Sequence, residues 1–331
     1  MTSKNILVTG GAGFIGSALI HTLNERGHDN ILVADFLGQD EKWRNLVPLR
    51  YADYIEADVL LENILTRTDF LKDFSHVYHL GACSATTERD ARHLVQNNFG
   101  FTQSLAESAL QAGARFVYAS SAATYGDGSQ GMDDQLEDIH TLRPLNMYGY
   151  SKHMFDCWAQ RSGVLGQIVG LKYFNVFGPN EAHKGDMRSL VAKAYEQVCE
   201  KGVINLFKSD RSDYADGEQM RDFLYVKDAV AMTLHLGDSG SAGGLYNLGS
   251  GGANTWLTLA TSIFEALRLE PNINFIEMPE HLKAKYQYYT CADISKLSST
   301  GYCNQVTSLP DAVEDYVRNY LIPDRRLGDV S

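Results

Sequence analysis

The 331-residue chain is poor in cysteine and proline, with 5 and 7, and the cysteines, Cys83, Cys157, Cys199, Cys291 and Cys303, form no C-x-x-C pair. An odd, scattered set excludes a disulfide framework and offers no metal-ligand spacing, so a reducing compartment, the cytoplasm, is expected, with no metal. Positive charge is scarce as well: 29 Lys and Arg stand against 41 Asp and Glu, a formal net charge of −12. So acidic a chain has no general basic surface for nucleic acid or anionic lipid, although a local pocket can still hold a phosphate. Long apolar runs are also missing. Ile6-Leu7-Val8 stops at Thr9-Gly10 with no basic segment before it, so neither a signal peptide nor a membrane span is expected.

What is present is an ordinary globular make-up, 44% apolar with 29 glycines. At roughly 150 residues per domain the length suggests two domains or one extended α/β unit. Short β-branched runs at Asn5–Thr9, Ile31–Asp35, Tyr54–Ala57, His76–Leu80, Arg115–Ser120 and Ile168–Phe174 read as strands. Between them, Phe14–Arg26, Asp90–Ala112 and Tyr148–Arg161 read as helices, the first ending at Gly27. Such alternation predicts a Rossmann-type, doubly wound parallel sheet. After Gly178-Pro179 the rhythm loosens, Lys208–Gln219 reads as an acidic surface loop, and Leu309–Tyr320 as the last helix. The expected division is a dinucleotide-binding domain over 1–175, with a return segment at 222–250, and a smaller α+β substrate domain over 176–221 and 251–331. Asp222–Val226 and Leu245–Leu248 are the segments expected to rejoin the sheet.

Gly10, Gly11, Gly13 and Gly16 follow the first strand and open the first helix, satisfying G-x-G-x-x-G. Glycine permits the tight turn and the close backbone approach by which a helix N-terminus meets a pyrophosphate. Asp35 ends the second strand roughly 20 residues on, where a carboxylate binds a ribose 2′-hydroxyl. That favours NAD, whereas Lys42 or Arg44 nearby would suit the 2′-phosphate of NADP, and the preference stays open. Asp58 reads either as a partner for an adenine amino group or as a turn residue.

Tyr148 and Lys152 form Y-x-x-x-K on one helical face, and Ser120 and Ser121 end the fifth strand at the edge where open α/β sheets place ligands. A tyrosine titrating near 10 needs lowering by about 3 pKa units, roughly 4 kcal/mol, to act as a base at neutral pH. Lys152 and an oxidised nicotinamide would supply it. The serine would bond the substrate oxygen, Tyr148 would take its proton, and hydride would leave the carbon.

These stretches, together with Asn97, the run Ser120 to Gly126 and Tyr246-Asn247-Leu248-Gly249, resemble the extended short-chain dehydrogenase/reductases. More narrowly, Gly81-Ala82-Cys83-Ser84, Tyr173 to Pro179 and His183-Lys184-Gly185 resemble the ADP-L-glycero-D-manno-heptose 6-epimerases over nearly the whole chain. The resemblance implies oxidation of the heptose at C6″, rotation of the ketone and return of hydride to its opposite face, a step toward lipopolysaccharide core precursors. It implies bound NADP (NAD possible), a nucleotide-sugar substrate, no nucleic-acid or membrane partner, and acid/base roles for Tyr148 and Lys184, with Ser121 and Lys152 assisting. A homo-oligomer is expected. By the same resemblance, Phe14, Ile15, Asp35, Lys42, Leu80, Gly81, Ala82, Cys83, Ser84, Asn97, Lys152, Val176 and Lys184 contact the cofactor. Ser121, Asn175, Phe207, Arg221 and Tyr286 contact substrate, and Asp186 and Lys193 stand where the family has Ser and His. Arg221 suits a diphosphate clamp, or else a salt bridge with Asp222. Without the resemblance Lys184 would read as a solvated lysine.

Departures bear on specificity. Phe36 replaces an Asn after Asp35, Ala57 stands near a missing second lysine, and Asp210, Asp213, Asp216 and Glu218 make the loop before Arg221 acidic. Among alternatives, a 4,6-dehydratase would carry an Asp-Glu pair at Ala122-Ala123, and a UDP-sugar 4-epimerase would not need Lys184. A non-catalytic dinucleotide-binding regulator would not need Ser121, Tyr148 and Lys152 together.

Overall fold

A computed structural model describes residues 5–283 and 286–329. In chain order its strands are β1 (Asn5–Thr9), β2 (Ile31–Asp35), β3 (Asp53–Glu56), β4 (Phe74–His79), β5 (Arg115–Ser121), β6 (Val169–Tyr173), β7 (Asn175–Phe177), β8 (Ile204–Phe207), β9 (Met220–Tyr225), β10 (Gly244–Leu248), β11 (Ala253–Thr255) and β12 (Ile273–Ile276). Seven of them make one parallel sheet in the order β3-β2-β1-β4-β5-β6-β10. Helices cover both faces, which is why Leu7, Val8, Ile31, Val33, Val77, Phe116 and Val117 are buried along unbroken apolar runs. The doubly wound sheet is therefore as expected, with strand ends shifted by one or two residues. No helix among the described residues is long and apolar enough to cross a membrane.

Of the two segments expected to rejoin the sheet, Leu245–Leu248 does, as β10 against β6. Asp222–Val226 does not. Its first four residues lie in β9, in a three-stranded layer between β7 and β11, and Val226 opens the helix Val226–Asp238. Its backbone is taken up by β11 on one side and β7 on the other, and the Asp222 carboxylate, accepting N–H bonds from Ser250, Gly251 and Ala292, ties it to the turn that follows β10. The remaining strands, β8 and β12, pair with each other.

Several helical features escape periodicity, among them the helices Leu190–Lys201, Val226–Asp238 and Trp256–Leu267 in the half where the rhythm loosens. Ala57–Thr66 is a helix that begins where a turn was allowed for. The stretch expected as Asp90–Ala112 is capped by Asp90 and helical from Ala91, but widens into a π turn at Val95–Gly100. A second π turn, Val317–Leu321, follows the helix Leu309–Tyr316.

Candidate active site

The strand order reverses between β1 and β4, and open α/β sheets bind ligands in the crevice at such a point. Here the two strand ends meet through glycine. A Cβ on Gly10, whose φ is +66°, would lie 2.6 Å from the Gly81 Cα, and one on Gly16 would lie 2.1 Å from the Gly10 carbonyl oxygen. The helix Phe14–Glu25 starts at Gly13 with no side-chain cap and no acidic residue in its first turn. Its N-terminus is thus available to an anion. The cleft above it, about 380 Å³, runs between Gly10–Gly16 and Leu80–Ser84 and includes Asp35, Lys42 and Lys184. These residues fit a dinucleotide.

At the Asp35 end of the cleft, groups that sequence treats separately are already joined. The Asp35 carboxylate accepts from the Ala12 N–H at 2.9 Å, the Phe36 N–H at 2.7 Å and the Lys42 ammonium at 3.0 Å. Asp58 is exposed in the first turn of Ala57–Thr66 and bonds the Val59 N–H. Its neighbour Ala57, not Asp58, lines the adjoining cavity together with Asn97, whose amide also donates to the His93 carbonyl at 2.9 Å.

The two serines part company at the end of β5 because strand neighbours face opposite ways. Ser120 turns inward and donates to Asp156 at 2.8 Å, while Ser121 caps the turn Ala122–Tyr125 and hydrogen-bonds Tyr148. Tyr148 rides on the helix Met147–Arg161, capped by Asn146, which accepts the Gly149 N–H at 2.8 Å. Gly149 lets the helix close on that turn: a Cβ there would stand 2.7 Å from the Ala123 carbonyl. The expected lowering of Tyr148 by Lys152 is not seen. Burial holds the phenol above its ordinary value, the Ser121 bond brings it down, and Cys83 nearby raises it. The Lys152 ammonium instead donates to the Ala119 carbonyl at 2.8 Å and is pushed down to about 8 by burial, with Asp156 and Cys83 opposing.

Lys184 lines the cleft 5.2 Å over the Phe14 ring, its ammonium held below the usual lysine value by burial. It sits in a 3-10 turn, Ala182–Met187, that Gly185 kinks at φ +53°. Met187 lines both this cleft and a second cavity of about 740 Å³, so the two adjoin. Asn175, Val176, Lys193, Phe207 and Tyr286 line the larger cavity. Arg221 is buried behind Tyr286 and Trp256, 5.1 and 5.6 Å from their rings, and donates to the Met220 carbonyl. It forms no salt bridge with Asp222, since alternation along β9 puts the two on opposite faces. Asp186 departs from expectation too: it is exposed and outside the lining, and only its carbonyl meets Lys193, at 3.3 Å. The acids of the 208–219 loop are largely spent locally, Asp213 on Arg211, Asp210 on Lys283 and Asp216 on the Ser209 N–H.

Several residues at the site were not singled out by sequence. Asn45 ties the Ala12 carbonyl of the glycine turn to the Asn180 carbonyl, and His183, pushed down to about 4 by burial, lines the cleft beside Lys184. Trp256 and Gln197 line the sugar-sized cavity. His183 belongs to the His183-Lys184-Gly185 motif but is given no role by it; no local motif marks Asn45, Trp256 or Gln197, whose places come from partners more than a hundred residues away or from a helix face that periodicity reads as ordinary core.

Residues 6–249 match the NAD dependent epimerase/dehydratase family. The ADP-L-glycero-D-manno-heptose-6-epimerase of Nitratidesulfovibrio vulgaris is 52% identical, covering 95% of this chain and 97% of its own length. The Fusobacterium nucleatum protein of the same name is 44% identical over 96% and 98%. The crystal structure of the Helicobacter pylori ADP-L-glycero-D-manno-heptose-6-epimerase superposes with a TM-score of 0.79 at 26% identity, over 96% of each chain.

Proposed function

This chain belongs to the NAD dependent epimerase/dehydratase family, and from that premise we propose that it converts ADP-D-glycero-D-manno-heptose to ADP-L-glycero-D-manno-heptose through transient oxidation at C6″. In this reading residues 1–175 hold the dinucleotide, and 176–221 with 251–331 hold the sugar nucleotide. What supports it is Lys184 lining the cleft while Tyr148 lies next to Cys83, itself part of that lining. Tyr148 is bonded to Ser121, and Lys184 stands over Phe14. A simple dehydrogenase needs one proton carrier; inversion at C6″ by turning the ketone moves the carbonyl oxygen away from the first group, so a second is needed where the oxygen arrives.

A bound nicotinamide dinucleotide supplies a reversible hydride acceptor and, when oxidised, a positive ring. The chain's own residues do the rest. Ser121 orients the C6″ hydroxyl, Tyr148 Oη removes its proton, and Lys184 Nζ donates a proton to the oxygen after rotation; Tyr148 then releases its proton to solvent and Lys184 takes one up, which resets both groups. Since the hydride and one proton are each removed and restored, the reaction has no net redox change. Lys152, held on the Ala119 carbonyl, brings a positive charge to the lining of the cleft, and Arg221, stacked on two aromatic rings, offers a planar fork to the diphosphate.

NADP as resident cofactor rests on Lys42, the cation at the ribose edge. A specific observation favours NAD as the second reading: Lys42 is already paired with Asp35, which leaves the carboxylate placed for a ribose hydroxyl. Mass spectrometry of nucleotide released from the purified protein separates the two. NMR of ADP-heptose incubated with the enzyme is expected to show C6″ inversion. Accumulated ketone, dehydration, or turnover of UDP-galactose in its place would overturn the assignment.

A further inference from the structure

His79 ends β4 beneath the cleft, 1% exposed, and its ring is bonded on both sides. Nδ1 lies 2.7 Å from Thr9 Oγ1 and Nε2 lies 2.8 Å from Thr102 Oγ1. The direction of each bond follows from its neighbours. The Thr102 hydroxyl donates to the Asn98 carbonyl at 2.8 Å, so toward His79 it can only accept, and Nε2 must carry the proton. Nδ1 then accepts from the Thr9 hydroxyl, whose oxygen in turn accepts the Gly81 N–H at 3.2 Å. All hydrogens in this row point one way, from Gly81 to Asn98.

The row continues into the catalytic helix. Asn98, in the π turn Val95–Gly100, grips the opposite end of the same cleft wall, accepting the Cys83 N–H and donating to the Cys83 carbonyl, both at 2.9 Å. Its amide also donates to Ser151 Oγ at 3.0 Å, and Ser151 donates to the Tyr148 carbonyl at 2.7 Å. Thr9, His79, Asn98, Thr102 and Ser151 are all buried. The π turn adds the residue that brings the Asn98 side chain and carbonyl to these partners at once, and such turns often mark functional sites.

We propose that His79 is a positioning residue: as an Nε2–H imidazole it fixes the Gly81–Cys83 wall of the dinucleotide cleft relative to the helix turn that carries Tyr148. Burial keeps the ring neutral, lowering it to about 3, so the row does not reverse anywhere in the working pH range. A charged ring, or the Nδ1–H tautomer, would set two donors head to head at one end. The proposal rests on the dinucleotide reading above, and its test separates the two.

The experiment compares wild type with His79→Phe, which keeps the ring contacts to Phe101 and Phe116, and with Thr9→Val, which leaves the ring bonded to Thr102 but removes the Gly81 acceptor. His79→Gln, an amide with one donor and one acceptor, is the rescue variant. Dinucleotide Kd is expected to rise tenfold or more and kcat to fall in the first two, with KM for the sugar nucleotide unchanged and partial recovery in His79→Gln. Nitrogen-15 spectra of the wild-type ring are expected to show one neutral Nε2–H form from pH 5.5 to 8.5. Unaltered Kd and kcat in folded Thr9→Val, or a ring that titrates or carries the proton on Nδ1, would overturn the proposal. A wild-type protein that binds no dinucleotide would instead overturn the function. Should His79→Phe fail to fold, Thr9→Val and the ring spectra decide.

Discussion

Asp156→Asn isolates the electrostatics that keep Lys152 charged. The two residues lie one turn apart on the helix Met147–Arg161, and Asp156 works against the burial that pushes Lys152 from 10.5 to about 8. That displacement corresponds to about 3 kcal/mol against the buried ammonium at neutral pH. Side chains four residues apart on a helix stand about 6 Å apart, where opposite charges at an effective dielectric of about 20 attract by about 3 kcal/mol, so neutralising Asp156 should lower Lys152 by roughly two further pH units. At pH 7 the charged fraction then falls from about nine-tenths to about one-tenth. The measurement is kcat against pH, followed by NMR of heptose inversion. Wild type should lose activity as pH rises through about 8, and the variant one to two pH units lower. The sign for stability runs the other way. Folded Lys152 gives up its proton before the unfolded chain does, so between about 8 and 10.5 it makes folding more favourable as pH rises. Alkaline inactivation from Lys152 is therefore not unfolding.

The same substitution breaks the buried Asp156–Lys172 pair, 2.9 Å long, at a cost of about 3–5 kcal/mol. Near-UV circular dichroism must show the variant folded, and adding Lys172→Met should restore stability and return the alkaline limb part of the way. An unmoved limb in the folded single variant would refute the electrostatic account of Lys152.

Three further outcomes are expected. Tyr148→Phe should lower kcat by a factor of about 10²–10⁴ while the protein still retains dinucleotide after purification, read by mass spectrometry; near-normal epimerisation would remove Tyr148 from its role. Gly16→Ala forces a Cβ to within 2.1 Å of the Gly10 carbonyl oxygen, so the turn must open, and the protein should purify without dinucleotide. Arg221→Lys keeps the charge but loses the planar fork stacked on Tyr286 and Trp256, and KM for the sugar nucleotide should rise about tenfold with kcat little changed, whereas an unchanged KM would exclude a diphosphate contact.

Local order carried much of the fold. The glycine turn, the strands through Ile168–Phe174 and the Tyr148 helix were legible because parallel strands buried on both faces read as apolar runs and because caps such as Asn146 and stops such as Gly27 are local chemistry. The helix Ala57–Thr66 was not, since it follows β3 without a break and has no side-chain cap to announce it. Nor was the separate layer of β9, where a short apolar run looks like any sheet strand until Asp222 is seen held by residues 28 to 70 positions away.

From its sequence alone the chain determined which residue types stand at strand ends and helix starts, hence a dinucleotide cleft with a serine, a tyrosine and a lysine at its carboxyl edge. Tertiary structure alone decided how they are used: which serine faces Tyr148, that Asp35 and Lys42 pair, that Arg221 stacks on aromatics, and that His79 links both walls. The physical reason is range. Turn and capping preferences act over three or four residues, whereas burial, ion pairing and hydrogen-bond direction depend on groups that only folding brings together.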